Sequence, residues 1–170
     1  MKPRRPVSAR IALAFACMAL LAGCQSQAAG VDENLTWQEA KADAQQMETD
    51  VAALIPDDVV VRREQRKTGS LFSCDDDQHQ WVGRTTVTVL PGTDTEALIQ
   101  GIQQAYEDDD AFEANESQDI NGNPRAQLVA TDDEGESYLV SRGRTETELD
   151  ITSGSKCFTL PDDVYPGGDF

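Results

Sequence analysis

The run from Gln80 to Leu90 is the feature that most constrains the fold of this chain. Its centre reads Trp-Val-Gly-Arg-Thr-Thr-Val-Thr-Val-Leu, which is rich in the β-branched and aromatic residues that suit a pleated sheet. Pro91-Gly92 breaks the run at its end. The sequence therefore predicts a long strand here, and the fold must contain a sheet.

Two amphipathic helices are predicted, one before and one after this strand. Thr36 and Glu39 fit a capping box, and apolar residues then recur at spacings of three and four until Pro56 ends the helix. The apolar stripe is Trp37, Ala40, Ala44, Met47, Val51 and Leu54. Such a stripe favours packing on the domain's own sheet, and a coiled-coil seam for a partner helix is the alternative. The sequence Thr93-Asp94-Thr95-Glu96 fits a second capping box.

The second helix has its own apolar side and ends at an acidic run, Asp108-Asp109-Asp110. Around the helices, a first strand begins at Val59 and leads toward Cys74. After the second helix, short β-rich runs separated by turns predict four more strands. They are Phe112 to Ser117, Ala126 to Thr131, Ser137 to Arg142 and Glu148 to Thr152.

The predicted element order is therefore α-β-β-α-β-β-β-β. The simplest solution is an α+β fold, an antiparallel sheet of about six strands with both helices on one face. We expect a single α+β domain over residues 34–160 and a loose C-terminal tail over residues 161–170.

The first 23 residues have the layout of a secretory signal. Four basic residues, Lys2, Arg4, Arg5 and Arg10, precede an apolar run from Ile11 to Leu21. This run is shorter than the ~20 residues that a permanent membrane-spanning helix needs. The sequence thus predicts a signal peptide over residues 1–23 and export of the remainder, with an ordinary signal favoured over the twin-arginine route.

The end of the signal, Leu21-Ala22-Gly23-Cys24, resembles the bacterial lipobox. In that family the cysteine thiol receives a diacylglycerol, and a peptidase cuts just before it. The resemblance implies lipidation of Cys24 by acyl chains such as palmitate and a lipid anchor on the extracytoplasmic face of the cell membrane. Residues 24–33 are small and polar, as expected of a flexible tether.

Charge limits the class of partner. The chain has 14 Lys and Arg against 31 Asp and Glu, and four of the basic residues lie in the signal. The mature part is left with ten basic residues and a formal charge of −21. Nucleic acid is excluded as a partner because its binding needs Lys and Arg to neutralise phosphates. Membrane attachment must come from the acyl chains, since the acidic protein is repelled by anionic lipid.

The number and positions of the cysteines agree with export of the protein. Cys17 lies in the signal and Cys24 is the residue for lipid, so Cys74 and Cys157 remain. An even pair in an oxidising compartment predicts one disulfide bond. No metal site is predicted, because a zinc site would need four clustered ligands.

A second, weaker resemblance is to small lipoproteins of actinobacteria. It is carried by Cys74, Trp81 and the segment Gly154-Ser155-Lys156-Cys157. It implies a location in the cell envelope rather than an activity.

Two groups of residues are candidate sites. Arg62, Arg63, Arg66 and Lys67 hold four of the ten mature basic residues, and they form a candidate binding patch for an anion or a partner. Strand alternation sends Arg62 and Arg66 to one face and Arg63 and Lys67 to the other, which favours internal pairing with acidic residues instead.

The second group is the acidic run Asp75 to Asp77 with His79, the only histidine. It suggests a metal or acid–base site, although so polar a run is more typical of a solvated loop. No catalytic residue and no cofactor is predicted, because nucleophile elbows and glycine-rich phosphate loops are missing.

These observations predict a lipid-anchored envelope protein that acts as a non-catalytic interaction or binding module. Its partners would be another envelope protein or a cell-wall component. The alternative is an enzyme or metal-dependent binder that uses the Asp75–His79 loop.

Overall fold

The computed structural model describes residues 34–170 and shows an α+β fold. The predicted signal over residues 1–23, the lipidation site at Cys24 and the tether over residues 24–33 lie outside the described part. The elements are α1 (Trp37–Ala53), β1 (Val60–Gln65), β2 (Ser70–Ser73), β3 (Gln78–Val89), α2 (Thr95–Ala105), β4 (Phe112–Gln118), β5 (Pro124–Ala130), β6 (Ser137–Arg142), β7 (Glu148–Gly154) and β8 (Phe158–Thr159). Within this part, no helix is long and apolar enough to cross a bilayer.

The strands form one antiparallel sheet of eight strands in the order β1-β3-β7-β6-β5-β4, with β2 and β8 also paired to β3. Val82 pairs with β2 and β7 at once, and Val87 pairs with β1 and β7, so β1 and β2 share one edge of β3. His79 pairs with both Ser73 and Phe158, which places β8 beside β7 on the other edge. The count exceeds the predicted six because two rows of the sheet are interrupted.

The interruption between β1 and β2 is made by the last residue of the chain. Gly69 donates its N–H to the carbonyl oxygen of Phe170 at 2.7 Å, and Phe170 returns a bond to the Gly69 carbonyl at 3.2 Å. The indole of Trp81 lies so close to Gly69 and Gly83 that a Cβ at either position would overlap the ring. Glycine at these positions lets the strands accommodate the Trp81 ring.

Helix α1 begins as predicted, with Thr36 and Glu39 forming a complete capping box. Its buried face differs from the predicted stripe at three places, one of which is Ala52, which is buried. Leu54 is 45 % exposed, and Ile55 is buried in its place because the helix ends at Ala53. Glu48 also lies on the buried face, although it is the kind of residue that usually stays in solvent.

Helix α2 begins one residue later than its predicted capping box. The cap is Asp94, whose side chain accepts a hydrogen bond from the N–H of Ala97 at 3.0 Å. A carboxylate at this position accepts a hydrogen bond from a free backbone N–H, and its negative charge is attracted to the positive end of the helix dipole. Ile99 and Ile102 are then buried against the sheet.

Both helices pack on the same face of the sheet, as predicted. The main core joins Val51, Ile55, Ile99 and Ile102 of the helical layer to inward residues of β3, β5, β6 and β7. The inward strand residues are Val87, Val89, Ala126, Leu128, Tyr138, Val140, Leu149 and Ile151. All of these are at most 2 % exposed, so one continuous apolar layer fixes the helices to the sheet.

The C-terminal segment contacts the domain at its last residue. Phe170 is only 7 % exposed and meets the Trp37 ring edge to face at 5.3 Å. Its carbonyl oxygen accepts a hydrogen bond from Trp81 Nε1 at 3.2 Å. Val164 packs on the same cluster. Burial of aromatic surface outweighs the polar composition of this segment.

The predicted disulfide is confirmed. Cys74 and Cys157 are bonded, with their Cα atoms 6.3 Å apart. Cys74 follows β2, and Cys157 lies between β7 and β8. The bond therefore joins the two rows that flank the first residues of β3.

Candidate binding surface on the open sheet face

In the part of the chain that the structure describes, no helix covers the second face of the sheet. Strand alternation sends every second residue to it, and the register aligns these residues in rows across the strands. One row consists of Glu64, Thr86, Asp150, Ser141 and Arg125, one residue from each of β1, β3, β7, β6 and β5. The residues of this row are half-buried or exposed. We call this surface the open face.

Two adjoining hollows lie on the open face beside β1, β3 and β7. They have volumes of about 240 and 190 Å³, and both are lined by Arg66 and Arg84. Arg144 reaches the smaller hollow from the loop before β7. We call the smaller hollow the arginine groove and define it by six residues: Glu64, Arg66, Arg84, Arg144, Glu148 and Asp150.

The acidic residues of the arginine groove are already bonded to donors. Arg84 Nη1 lies 3.2 Å from Asp150 Oδ2, and Thr86 donates its hydroxyl to Asp150 Oδ1 at 2.7 Å. Glu64 pairs with Arg62 at 3.0 Å. Glu148 accepts a hydrogen bond from the N–H of Thr145 at 3.3 Å.

Two arginines of the groove are different. Within residues 34–170, the side chains of Arg66 and Arg144 make no ion pair and no hydrogen bond. Their guanidinium groups therefore offer donors to a molecule that enters the groove.

The structure does not bring the four predicted basic residues into one patch. Arg62 pairs with Glu64, and Arg63 reaches Asp57 at 2.8 Å and the carbonyl oxygen of Ile55 at 3.1 Å. These two contacts agree with the internal pairing that the sequence favoured. Lys67 lies beside the start of α1, where its carbonyl oxygen accepts a bond from Lys41 Nζ at 2.6 Å.

Only Arg66 of the four lines the groove, and its neighbours Arg84 and Arg144 were not singled out from the sequence. The three arginines lie close together because β1 and β7 pair with β3, and no local sequence pattern predicts this pairing. The signal that was available is the alternation Arg62, Glu64, Arg66, which does place these residues on one side of β1.

The second predicted group, Asp75 to Asp77 with His79, is divided between a turn and a strand. Asp75 Oδ1 accepts hydrogen bonds from the N–H groups of Asp77 at 2.9 Å and Gln78 at 2.8 Å, which closes the β2–β3 turn. His79 is half-buried in β3, so the expected exposed loop is wrong for this residue. Its Nδ1 is buried and has no partner within residues 34–170. The same residues contain no group of three His, Cys, Asp or Glu side chains that could hold a metal.

A further hollow of about 510 Å³ lies beside the disulfide and is lined in part by Asp75, Asp133 and Glu134. Lys156 stands next to it and bonds Asp132 at 2.7 Å and Glu134 at 2.5 Å. Partial burial acts to lower the pKa of Lys156, but the two carboxylates outweigh it and raise the pKa above its ordinary value. Lys156 thus stays charged and fixes the β5–β6 turn, and the hollow itself is acidic.

Sequence reasoning missed the buried carboxyl of Glu48, which is fully inaccessible. It accepts hydrogen bonds from Ser153 Oγ at 2.5 Å, Thr85 Oγ1 at 2.7 Å and Gln65 Nε2 at 3.1 Å. Burial raises its pKa, and the three hydrogen bonds oppose that rise. Because Glu48 is sealed between α1 and the sheet, it joins the layers of the fold and does not form part of a solvent-accessible site.

No family model matches the chain, and no curated protein or solved structure is found to be similar to it.

Proposed function

We propose that this chain is a lipid-anchored envelope protein and that its domain binds a partner, without chemistry, through the open face. The anchor rests on the lipobox-like segment Leu21-Ala22-Gly23-Cys24 behind an apolar run. The disulfide bond agrees with an exported protein, because such bonds persist in oxidising compartments. The partner is an envelope protein or a cell-wall component.

The observation that carries the binding role is the open face itself. The helices cover one side of the sheet, while the other side carries the arginine groove, in which two guanidinium groups have no acceptor among residues 34–170. Arginine is a residue enriched in recognition surfaces, because its planar fork donates several hydrogen bonds in fixed directions. A sheet face with this composition suits contact with a partner.

The binding role is tested by affinity capture from solubilised membranes, with the intact protein as bait. Thr152→Arg adds a long charged side chain at the centre of the open face, between Arg84 and Leu139 in the register. Ala42→Arg adds the same charge at an exposed position of α1. We expect Thr152→Arg to abolish capture of the envelope partner and Ala42→Arg to leave it unchanged.

Equal capture by both variants would place the binding surface elsewhere. The unfolding midpoints of both variants serve as the control for folding, and they should stay close to that of the unaltered protein.

The anchor is tested separately by mass spectrometry. The membrane-bound form should begin at a lipid-modified Cys24, and the Cys24→Ala variant should appear in the soluble envelope fraction or the medium. Two acyl chains anchor stably where one would not, since each buried CH₂ contributes about 0.8 kcal/mol. An unmodified Cys24 in membrane-bound protein would overturn the anchor.

A further inference from the structure

The arginine groove contains three arginines and three carboxylates, and two of the arginines make no ion pair within residues 34–170. Of the 31 Asp and Glu, Asp32 and Glu33 precede the described part, which leaves 29 against ten Lys and Arg in residues 34–170. With acids in such excess, a basic side chain is expected to find an acidic partner. Five of the ten do so: Arg62, Arg63, Arg84, Arg142 and Lys156. The other five make no ion pair within residues 34–170, and of these only Arg66 and Arg144 line the arginine groove.

The geometry of the groove explains why these two arginines find no acceptor among residues 34–170. The three carboxylates beside them, Glu64, Glu148 and Asp150, are directed to other donors. Asp150 in particular is held by both Thr86 and Arg84, with its side chain only 15 % exposed. Arg66 and Arg144 are therefore the donors that an incoming group would meet.

We infer that the arginine groove binds a single oxyanion, a phosphate or carboxylate group on an otherwise uncharged ligand. Guanidinium groups bond such oxyanions with two parallel N–H donors each, and charge-assisted bonds of this kind are roughly twice as strong as neutral ones. This inference rests on the proposed binding function and names the chemical class of the ligand at that same face.

Because the whole domain is acidic, we expect its ligand to carry only one anionic group. The remaining surface is acidic, and it repels a long polyanion along its whole length. A single group is affected less, because charges farther apart than about 8 Å are screened at physiological ionic strength. A ligand with one terminal phosphate or carboxylate can thus reach Arg66 and Arg144, whereas a polyanion cannot.

The test is calorimetric titration of the detergent-solubilised full chain at constant ionic strength, with inorganic phosphate in one arm and acetate in the other. We expect saturable binding of at least one anion, and the tighter one identifies the class. Arg66→Gln and Arg144→Gln should each weaken it about tenfold, the loss expected for a charge-assisted hydrogen bond.

Lys67→Gln is the matched control, because Lys67 follows Arg66 in the chain and is exposed but lines neither of the two hollows. This variant should bind the anion as the unaltered chain does. Lack of saturable binding of both anions, or equal losses in all three variants, would overturn the inference. The proposed binding function would survive that result if Thr152→Arg still abolished capture of the partner, so the two failures are distinguishable.

Discussion

The two faces of the sheet differ although the same strands build both. In β7, Leu149, Ile151 and Ser153 point to the helices and are at most 1 % exposed. Their neighbours Glu148, Asp150 and Thr152 point the other way and stay partly exposed. The difference shows that alternation along one strand can bury apolar side chains on one face and leave polar side chains accessible on the other.

Both faces of the sheet should belong to one cooperative unit, and removal of the disulfide tests this. Cys74→Ser with Cys157→Ser opens a loop with a sequence separation of 83 residues. In the chain-entropy model, the free energy of unfolding falls by up to about 4.5 kcal/mol, a value that measured losses often do not reach. Denaturant unfolding followed by fluorescence and by circular dichroism should show one coincident transition at a lower midpoint. Two separate transitions would contradict a single unit.

Two substitutions at neighbouring residues compare how much each face of the sheet contributes to the free energy of unfolding. Ile151→Ala removes a fully buried side chain from the covered face and should cost about 2–5 kcal/mol of unfolding free energy. Thr152→Ala, one residue along, removes a side chain from the open face and should change it by no more than about 0.5 kcal/mol. Equal costs at residues 151 and 152 would show that the open face is covered in solution.

Glu48 is the exception on the covered face, and its raised pKa gives that face a pH dependence. A raised folded-state pKa means that the folded protein binds the proton more tightly than the unfolded chain does. The contribution of Glu48 is thus most favourable below the ordinary value of 4.5 and is lost as the pH rises through the folded-state pKa.

Replacement of Glu48 by Gln removes this titration. The stability of Glu48→Gln relative to the unaltered protein should therefore improve as the pH rises from 4.5 to 8. The measurement is the free energy of unfolding of both proteins at several pH values and constant ionic strength. A difference that does not change with pH would contradict the raised pKa.

Local signals predicted much of the fold. The capping box at Thr36, the helix end before Pro56 and the β-branched run of β3 each depend on residues close in sequence, so the two helices and the antiparallel sheet followed. The interruption after β1 could not be predicted, since it depends on a contact between Gly69 and Phe170. Nothing near either residue in the sequence indicates their pairing.

The candidate site was predictable only in part, for a similar reason. Arg66 was named as one member of a basic run, but its neighbours Arg84 and Arg144 come from β3 and the β6–β7 loop. Glu48 was not among the residues of the predicted apolar stripe of α1, although it is four residues from Ala44 and three from Val51 on the same face. Its hydroxyl partners, Thr85 and Ser153, lie on two strands that are distant in sequence. Their hydrogen bonds offset the free-energy cost of burying the carboxylate.

We propose that the open face is the surface that contacts the partner. Site-specific photo-crosslinking in intact cells tests this proposal. A photoreactive residue is introduced at Thr152 in one version of the full chain and at Ala42 of α1 in another. Both positions lie on the protein surface, on opposite sides of the sheet. We expect a discrete crosslinked product from position 152 and none from position 42. A product from position 42 alone, or the same product from both positions, would contradict it.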